Sequence, residues 1–242
     1  MSRRMDIEGT HNFRDVGGYP AGARSTRYGQ LYRSDALTGI TPTGLADLLA
    51  LRIGVVVDLR SRLELSQDTT RCVLPDARVV NVPIEGGSRS SIVKGDHISL
   101  EQLYRDIIDQ AGFDLTAAVA VIAESGSIPV LVNCTAGKDR TGLVIALALE
   151  AAGVDRSAVV ADYTQSALNL DGDWLDQTLT GLVSNGVPIS PRLFEVLGGS
   201  PDHVMGQILG WLDREHGSVV GFLAAHGLAE DSVQRLHDKL VV

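Results

Sequence analysis

Residues 132–143 of the chain read VNCTAGKDRTGL, in which five residues separate Cys134 from Arg140. An apolar, β-branched run at 128–132 precedes this stretch, and a Leu/Ala-rich segment at 143–152 follows it and ends at Gly153. The first run has the composition of a buried strand, and the second has the length of a helix with a glycine stop. The sequence therefore predicts a strand, a loop that starts at Cys134, and a helix.

A loop in this position binds an anion and activates a thiol. Unpaired N–H groups and the positive end of the helix dipole stabilise an oxyanion, and they stabilise a thiolate at Cys134 equally well. Arg140 carries a planar guanidinium that bonds two phosphoryl oxygens at once, which a lysine cannot do. Together they predict hydrolysis of a phosphomonoester through a cysteinyl-phosphate. The loop residues expected to bind substrate are Thr135, Ala136, Gly137, Lys138, Thr141 and Gly142.

Individual roles follow from residue type. Gly137 and Gly142 allow the backbone to turn and to approach the anion closely. Thr141 is expected to hydrogen-bond the thiolate or to cap the helix. Lys138 adds a second cation at the rim of the loop, a feature shared with phosphoinositide phosphatases, and a solvated lysine is the alternative.

Other interpretations of the loop were weighed. A nucleotide-binding Walker loop needs a glycine where Val132 stands and a Ser or Thr where Asp139 follows the lysine, so it fails at both positions. Rhodanese-like sulfur transfer and arsenate reduction also use a cysteine at the base of an anion loop, and both stay open. A phosphate-binding interaction module with little turnover is an alternative of another class. A buried packing cysteine in an ordinary turn explains neither Lys138 nor Arg140.

Segments beyond the loop are similar to one protein family. The chain resembles the bacterial tyrosine/serine phosphatases of the cysteine-dependent protein tyrosine phosphatase superfamily, whose signature has this Cys-x5-Arg spacing. Asn133 departs from the family pattern, which usually has histidine before the nucleophile, and this bears on how strongly the thiolate is stabilised. The similar segments outside the loop are residues 12–18, 32–34, 57–61, 162–163 and 217–219.

The resemblance implies a function and its ligands. It implies a protein tyrosine phosphatase that acts on a phosphorylated protein, with a phosphoinositide or a broad phosphotyrosine/phosphoserine range as the alternative. Phosphate or vanadate is the expected ligand of the loop. No cofactor is expected, and no metal is expected either, because the six histidines show no paired metal-ligand spacing. For Arg14, Arg33 and Arg60, which lie in the similar segments, salt bridging within the protein is expected.

The leaving group of a phosphoester needs a proton, and a carboxylic acid that supplies it contributes about 10² to 10⁴ in rate. Asp58 is the first candidate because it ends a predicted strand at 55–58, and open α/β sheets bind ligands beyond the carboxyl ends of their strands. The resemblance also aligns Asp58 with the acid proposed for the family. Asp139, inside the loop, is the second candidate. The alternative roles are a turn cap for Asp58 and orientation of Arg140 or a loop amide for Asp139.

Length and composition bound the class of protein. A chain of 242 residues that is 44% hydrophobic predicts a single domain over residues 1–242. The net charge of −9 argues against nucleic acid or an anionic membrane surface as the main partner. Two cysteines, Cys72 and Cys134, are too few for a disulfide framework. The sequence shows no signal peptide and no apolar run of about 18 residues, so a cytoplasmic location is expected. Nothing in it indicates the oligomeric state.

Strand and helix patterns alternate along the first part of the chain. Strands are predicted at 30–34, 55–58, 78–82 and 128–132, with helices from Pro42 to about Leu51, from Ser99 to about Gln110, and at 115–125 after an Asp114 cap. Residues 83–95 are predicted to form a mobile loop. The chain after Gly142 is expected to be helical, with breaks near 153, 186–190, 198–201 and 217–227. The prediction is an α/β fold with a central, mainly parallel sheet covered by helices and a helical C-terminal half.

Residues 168–197 form a separate feature of the pattern. Apolar residues at near-helical spacing, a break at Asn185-Gly186 and a second apolar segment predict two short amphipathic helices. A mycobacterial member of the resembling family has a helical lid after its active-site helix, which implies that 168–197 forms a lid over the cleft. Packing on the sheet is the alternative.

Overall fold

The computed structural model describes residues 3–68, 74–86 and 99–242. The strands are β1 (Arg14–Asp15), β2 (Pro20–Ala21), β3 (Arg24–Ser25), β4 (Leu31–Ser34), β5 (Val55–Asp58), β6 (Arg78–Asn81) and β7 (Val130–Asn133). The helices in the described ranges are α1 (Pro42–Ala50), α2 (Arg62–Gln67), α3 (Leu100–Glu124), α4 (Asp139–Ala151), α5 (Arg156–Leu170), α6 (Asp173–Ser184), α7 (Pro191–Gly198), α8 (Asp202–His216), α9 (Val219–Ala225) and α10 (Ser232–Leu240).

The strand before the cysteine lies at the centre of the main sheet. The strand order is β1-β4-β7-β5-β6, and all neighbours are parallel except the pair β1 and β4. Strands β4, β5 and β7 are completely buried, as continuous apolar runs in a covered parallel sheet require. Both Ser34 and Asp58 have Asn133 as their Cα partner. The segments that follow β4, β5 and β7 therefore leave the sheet at one edge, next to Cys134.

Helices cover the sheet on one face and shorter segments cover the other. Val55, Val57 and Val132 belong to the larger hydrophobic cluster, which includes α3, α4 and the C-terminal helices. Val56 and Leu131 belong to a smaller cluster on the opposite face with Leu48 of α1, because successive strand residues point to opposite faces. The prediction of an α/β fold with a mainly parallel sheet and a helical C-terminal half is confirmed.

The segment after Ser99 differs from its prediction. The structure has one helix, α3, with a non-helical residue at Ala111, so Asp114 lies inside a helix and caps nothing. The prediction of two helices was wrong because the interruption leaves the helix continuous. At the next residue, Gly112, a Cβ atom would lie 2.6 Å from the His226 ring, so the bare backbone fits against that ring.

Several boundaries also differ. Helix α4 begins at Asp139, four residues before the apolar run, so Arg140 lies in its first turn. The predicted break at 217–227 contains α9, whose N-cap Ser218 accepts a hydrogen bond from Gly221 N. The two helices expected within 168–197 are present as α6 and α7. Cys72 and residues 87–95 of the predicted mobile loop lie outside the described residues. No described helix combines the length and the apolar character needed to cross a bilayer.

Candidate active site

The loop between β7 and α4 has Cys134 at its base. Cys134 is 2% exposed and follows the last residue of the central strand. Lys138 is the N-cap of α4, and no side chain caps that helix end. Gly137 has a φ of +64°, and a Cβ there would overlap the carbonyl oxygen of Ser34, so only glycine fits this turn.

The carbonyl groups of the loop are held from the outside. Asn12 Nδ2 donates to the carbonyl oxygens of Ala136 and Gly137, both at 3.0 Å. Arg33 Nη2 donates to the Gly137 oxygen at 2.6 Å, and Ala36 N donates to the Thr135 oxygen at 3.1 Å. Because the N–H of a peptide points away from its C=O, these bonds turn the loop N–H groups toward the inside. The loop is a concave set of amide donors, as an anion site requires.

A buried charge cluster supports Arg33 from behind. Asp162 Oδ1 accepts from Arg14 Nε at 2.9 Å, and its Oδ2 accepts from Arg33 Nη1. All three side chains are at most 1% exposed. Burial raises the pKa of Asp162, but the charges and hydrogen bonds of the two arginines outweigh burial and lower that pKa to about 2. The salt bridges expected for Arg14, Arg33 and Arg60 are confirmed.

Glu64 holds one side of the Arg140 guanidinium. Arg140 Nη1 and Nη2 each donate to a different Glu64 oxygen at 2.8 Å, and Thr135 Oγ1 donates to Glu64 as well. Burial raises the pKa of Glu64, but the bonds from Arg140, Thr135 and Ser61 N outweigh burial and lower that pKa to about 2. Arg140 Nε is buried and has no hydrogen-bond partner in the described structure. The edge formed by Nε and Nη2 is thus the one that can take two oxygens of an anion.

Glu64 was missed by the sequence analysis, although a signal for it exists. Ser61 accepts from Glu64 N at 3.2 Å while Glu64 accepts from Ser61 N at 2.9 Å, which is a complete capping box at the start of α2. The Ser-x-x-Glu spacing marks this helix start. The box predicted at Ser99 is only half formed, because Gln102 donates its side chain to Asp106 instead.

Two other polar side chains at the loop are buried without a partner in the described structure. They are the Thr141 hydroxyl and the Asn133 carbonyl oxygen. Thr141 lies in the first turn of α4, one residue after Arg140. Gly142 lies against a tyrosine ring, since a Cβ there would be 3.3 Å from Tyr163 Cδ2. The partnerless Thr141 hydroxyl is available for a bond to the thiolate.

A cleft of about 550 Å³ opens beside the loop, with Thr135 in its wall. Helix α2 contributes Glu64 and Gln67, and helix α6 contributes Trp174 and Thr178. The remaining lining residues are Gly9, His11, Asp35, Ala36, Thr38, Gly39, Arg60, Asp68 and Gln177. Residues far apart in the chain thus meet at the sheet edge where the loop begins.

A family model described as the tyrosine phosphatase family matches residues 5–242. The chain belongs to the tyrosine phosphatase family. It is therefore an enzyme that hydrolyses phosphomonoesters, and the prediction of a bacterial tyrosine phosphatase is confirmed.

Individual relatives agree with this assignment. Triple specificity protein phosphatase PtpB of Mycobacterium tuberculosis is 28% identical over 98% of this chain and 98% of that protein. A tyrosine-protein phosphatase of Nostoc commune is 27% identical over 86% of this chain and 73% of that protein. A crystal structure of P. aeruginosa TpbA in complex with phosphotyrosine is 18% identical over 66% of this chain and 90% of that chain; its TM-score of 0.32 is too low to support a conclusion.

Asp58 of the phosphatase lies at the expected sheet edge, and its carboxylate bonds to Arg60. Oδ1 accepts from Arg60 N at 3.1 Å and from Arg60 Nε at 3.0 Å, and Oδ2 accepts from Arg60 Nη2 at 2.7 Å. The bond to the backbone two residues on is the turn-capping geometry. Asp58 shares its strand register with Asn133. The structure therefore brings Asp58 next to Asn133, and its described side-chain bonds do not reach the loop.

Asp139 and Lys138 lie close together at the start of α4. Asp139 Oδ1 accepts from Tyr104 OH at 2.7 Å and lies 3.1 Å from Lys138 Nζ. Lys138 is only 1% exposed, and its ammonium donates to the carbonyl oxygens of Val196 at 2.6 Å and Gly199 at 2.8 Å. The expectation of a cation at the rim was wrong, because the side chain turns toward the end of α7 instead of toward solvent.

Proposed function

We propose that the enzyme hydrolyses phosphotyrosine in proteins, with Cys134 as nucleophile and Arg140 as the ligand of the phosphoryl oxygens. One observation carries this proposal: the free Nε edge of Arg140 and the inward N–H groups of the loop surround the position of Cys134. Donors fixed in place before the reaction stabilise the charge of the transition state without reorganisation.

The chemistry has two steps. The Cys134 thiolate forms a bond to phosphorus while the bond from phosphorus to the leaving oxygen breaks, and the leaving oxygen takes up a proton. Water then attacks the cysteinyl-phosphate, which releases inorganic phosphate and the thiolate. Neither step calls for a cofactor or a metal.

The loop residues have separate proposed roles. The N–H groups of Thr135, Ala136, Gly137 and Lys138 bind the phosphoryl oxygens. The buried hydroxyl of Thr141, which has no partner in the described structure, supports its proposed bond to the thiolate. Gly142 lets the helix start pack against Tyr163. Because the Lys138 ammonium is bonded to Val196 and Gly199, its contact with substrate is through the backbone, which favours a phosphopeptide over a multiply phosphorylated lipid.

Asp58 and Asp139 are the proton donors proposed from the sequence. Both are in contact with a cation, Asp58 with Arg60 at 2.7 Å and Asp139 with Lys138 at 3.1 Å. Between these two, Asp139 is favoured by the geometry, because both oxygens of Asp58 are bonded to one guanidinium whereas the described bonds of Asp139 all involve Oδ1.

We also propose that residues 168–197 act as a lid within a single domain. The side chains of Trp174 and Thr178 in the cleft wall support this, as do the bonds from Lys138 to the end of α7. A cytoplasmic location is proposed because a thiolate nucleophile needs a reducing compartment.

A trapping experiment tests the proposed activity. The enzyme is mixed with a phosphotyrosyl peptide, quenched in acid within milliseconds and digested, and the expected result is a phosphate group on the peptide that contains Cys134. Steady-state turnover is expected to be blocked by vanadate and unaffected by a chelator. A parallel panel of phosphoseryl peptides and phosphoinositides reports the substrate range. Binding of all these probes without turnover would identify a phosphate-binding module and overturn the proposal.

A further inference from the structure

The cleft beside the loop contains a carboxyl group that the proposed reaction has not yet used. In the described structure, the carboxyl side chains that line this cleft are Asp35, Glu64 and Asp68. Glu64 pairs with Arg140 at 2.8 Å, and Asp68 pairs with Arg60 at 2.9 Å. For Asp35, the described residues provide no lysine or arginine within ion-pair distance.

Asp35 stands beside the nucleophile in the sheet. It directly follows Ser34, whose Cα partner is Asn133, just as Cys134 follows Asn133. The next residue, Ala36, donates its N–H to the Thr135 oxygen at 3.1 Å. Asp35 and Cys134 therefore leave neighbouring parallel strands side by side.

The Asp35 carboxyl is held entirely by neutral donors. Oδ1 accepts from Asn12 N at 2.9 Å and from Ser34 Oγ at 3.0 Å, and both oxygens accept from His11 N at 3.1 Å. The residue is 3% exposed, and burial raises the pKa of its carboxyl. A buried carboxyl group without a cationic partner keeps a proton more readily than an ion-paired one. Asp58 and Asp139, in contrast, each contact a cation.

We propose that Asp35 is a catalytic residue of this phosphatase, the acid that protonates the leaving oxygen. This inference rests on the proposed function and replaces Asp58 and Asp139 in that one role. As the S–P bond forms and the P–O bond to tyrosine breaks, the Asp35 proton moves to the phenolic oxygen and leaves a carboxylate. In the second step the attacking water gives its proton to that carboxylate, the S–P bond breaks, and the carboxyl group is regenerated.

The test compares Asp35→Asn with Asp58→Asn and Asp139→Asn on aryl phosphates of graded leaving-group acidity. Asparagine keeps the shape of aspartate and accepts the same N–H groups, but it has no proton to transfer. For Asp35→Asn, kcat/KM is expected to fall roughly 100-fold or more with phenyl phosphate and only about threefold with 2,4-dinitrophenyl phosphate, whose leaving group needs no proton. The matched variants are expected to show equal losses across the series.

Equal losses for all leaving groups in Asp35→Asn would overturn the proposal and identify Asp35 as an anchor for His11 and Asn12. A leaving-group dependence that appears in Asp58→Asn or Asp139→Asn instead would also overturn it. If Asp35→Asn does not fold, Asp35→Ser takes its place, because its hydroxyl can accept from the same N–H groups. Failure of the proposed function looks different, since wild-type enzyme would then form no cysteinyl-phosphate with the dinitrophenyl ester.

Discussion

The Lys138 ammonium lies 2.6 Å from the carbonyl oxygen of Val196, so the phosphate loop is bonded directly to the last turn of α7. A second bond runs to Gly199, the C-cap of that helix, at 2.8 Å. Carbonyl groups at a helix C-terminus carry partial negative charge, which a buried ammonium neutralises. The loop and the proposed lid are therefore connected by one side chain.

Replacing Lys138 with methionine is expected to loosen α7. Methionine has a similar length but donates no hydrogen bond, so the carbonyl groups at 196 and 199 lose their partner. Hydrogen exchange measured by mass spectrometry is expected to become faster in Pro191–Gly198. Lys239→Met is the matched control, because Lys239 is also a buried lysine that donates to two carbonyl oxygens, those of Gly126 and Ile128. Unchanged exchange in α7, with a selective loss on multiply phosphorylated lipids, would instead make Lys138 a substrate contact.

The Glu64→Gln variant is expected to lose stability as well as activity. Because the pKa of Glu64 is lowered to about 2 in the folded enzyme, its ionised form stabilises the fold above the ordinary value of 4.5, by an amount on the order of 3 kcal/mol. This contribution is lost as the pH falls from 4.5 through about 2. Urea unfolding of both proteins is expected to show the largest difference at pH 7 and convergence toward pH 2. A difference that does not depend on pH would contradict the ion pair.

Asn12→Asp tests how the loop amides are oriented. The variant replaces a donor to two loop carbonyl oxygens with an acceptor, so these groups repel each other and the loop relaxes. We expect weaker vanadate inhibition and a loss of about 1–3 kcal/mol in the free energy of unfolding. Asn185→Asp is the control, since Asn185 also donates to a carbonyl oxygen, but at an exposed helix end. Equal inhibition of wild type and Asn12→Asp would show that the loop shape does not depend on Asn12.

Cys134→Ser is expected to abolish turnover while the protein still binds phosphate. A hydroxyl is far less ionised than a thiol at neutral pH, whereas the loop donors are untouched. Phosphate binding by calorimetry and the thermal midpoint check the fold, and Cys72→Ser serves as the control for cysteine replacement. A Cys134→Ser enzyme with wild-type turnover would rule out the cysteinyl-phosphate.

Arg140→Lys is expected to be impaired by about 10² to 10³ in kcat, the usual cost of losing one oxyanion donor. Lysine keeps the charge but cannot bond Glu64 and two phosphoryl oxygens at the same time. Arg156→Lys is the control, because Arg156 pairs with Glu150 and Asp213 away from the cleft. Steady-state kinetics on a phosphotyrosyl peptide give the comparison, and similar losses in the two variants would remove the special role of Arg140.

The parts of the fold that the sequence predicts are those with a strong local pattern. Strands β4, β5 and β7 are apolar runs buried on both faces, and the predicted and observed bounds differ by at most two residues. Strands β1, β2 and β3 have two residues each, too few for any periodicity. Helix α4 was placed too late because its first turn consists of loop residues whose polarity hides the helix.

The site divides in the same way. Cys134 and Arg140 are found from their spacing because they lie within one turn of chain. The partners of the loop come from far away: 71 positions separate Glu64 from Thr135, and 124 separate Asn12 from Ala136. Only the three-dimensional packing of the strands brings such pairs together. The orientation of Lys138 was missed for the same reason, since its acceptors lie about 60 residues further along the chain.

The contact between Glu64 and Arg140 also has a thermodynamic consequence. A free arginine side chain has rotamer entropy worth about 2 kcal/mol, which is lost when the side chain becomes ordered. In this enzyme the ordering takes place during folding, because the carboxylate fixes the guanidinium before any substrate arrives. Binding of the phosphoryl group should therefore carry little entropy loss from the protein, and the affinity of the empty site for small oxyanions should vary only weakly with side-chain disorder elsewhere in the cleft.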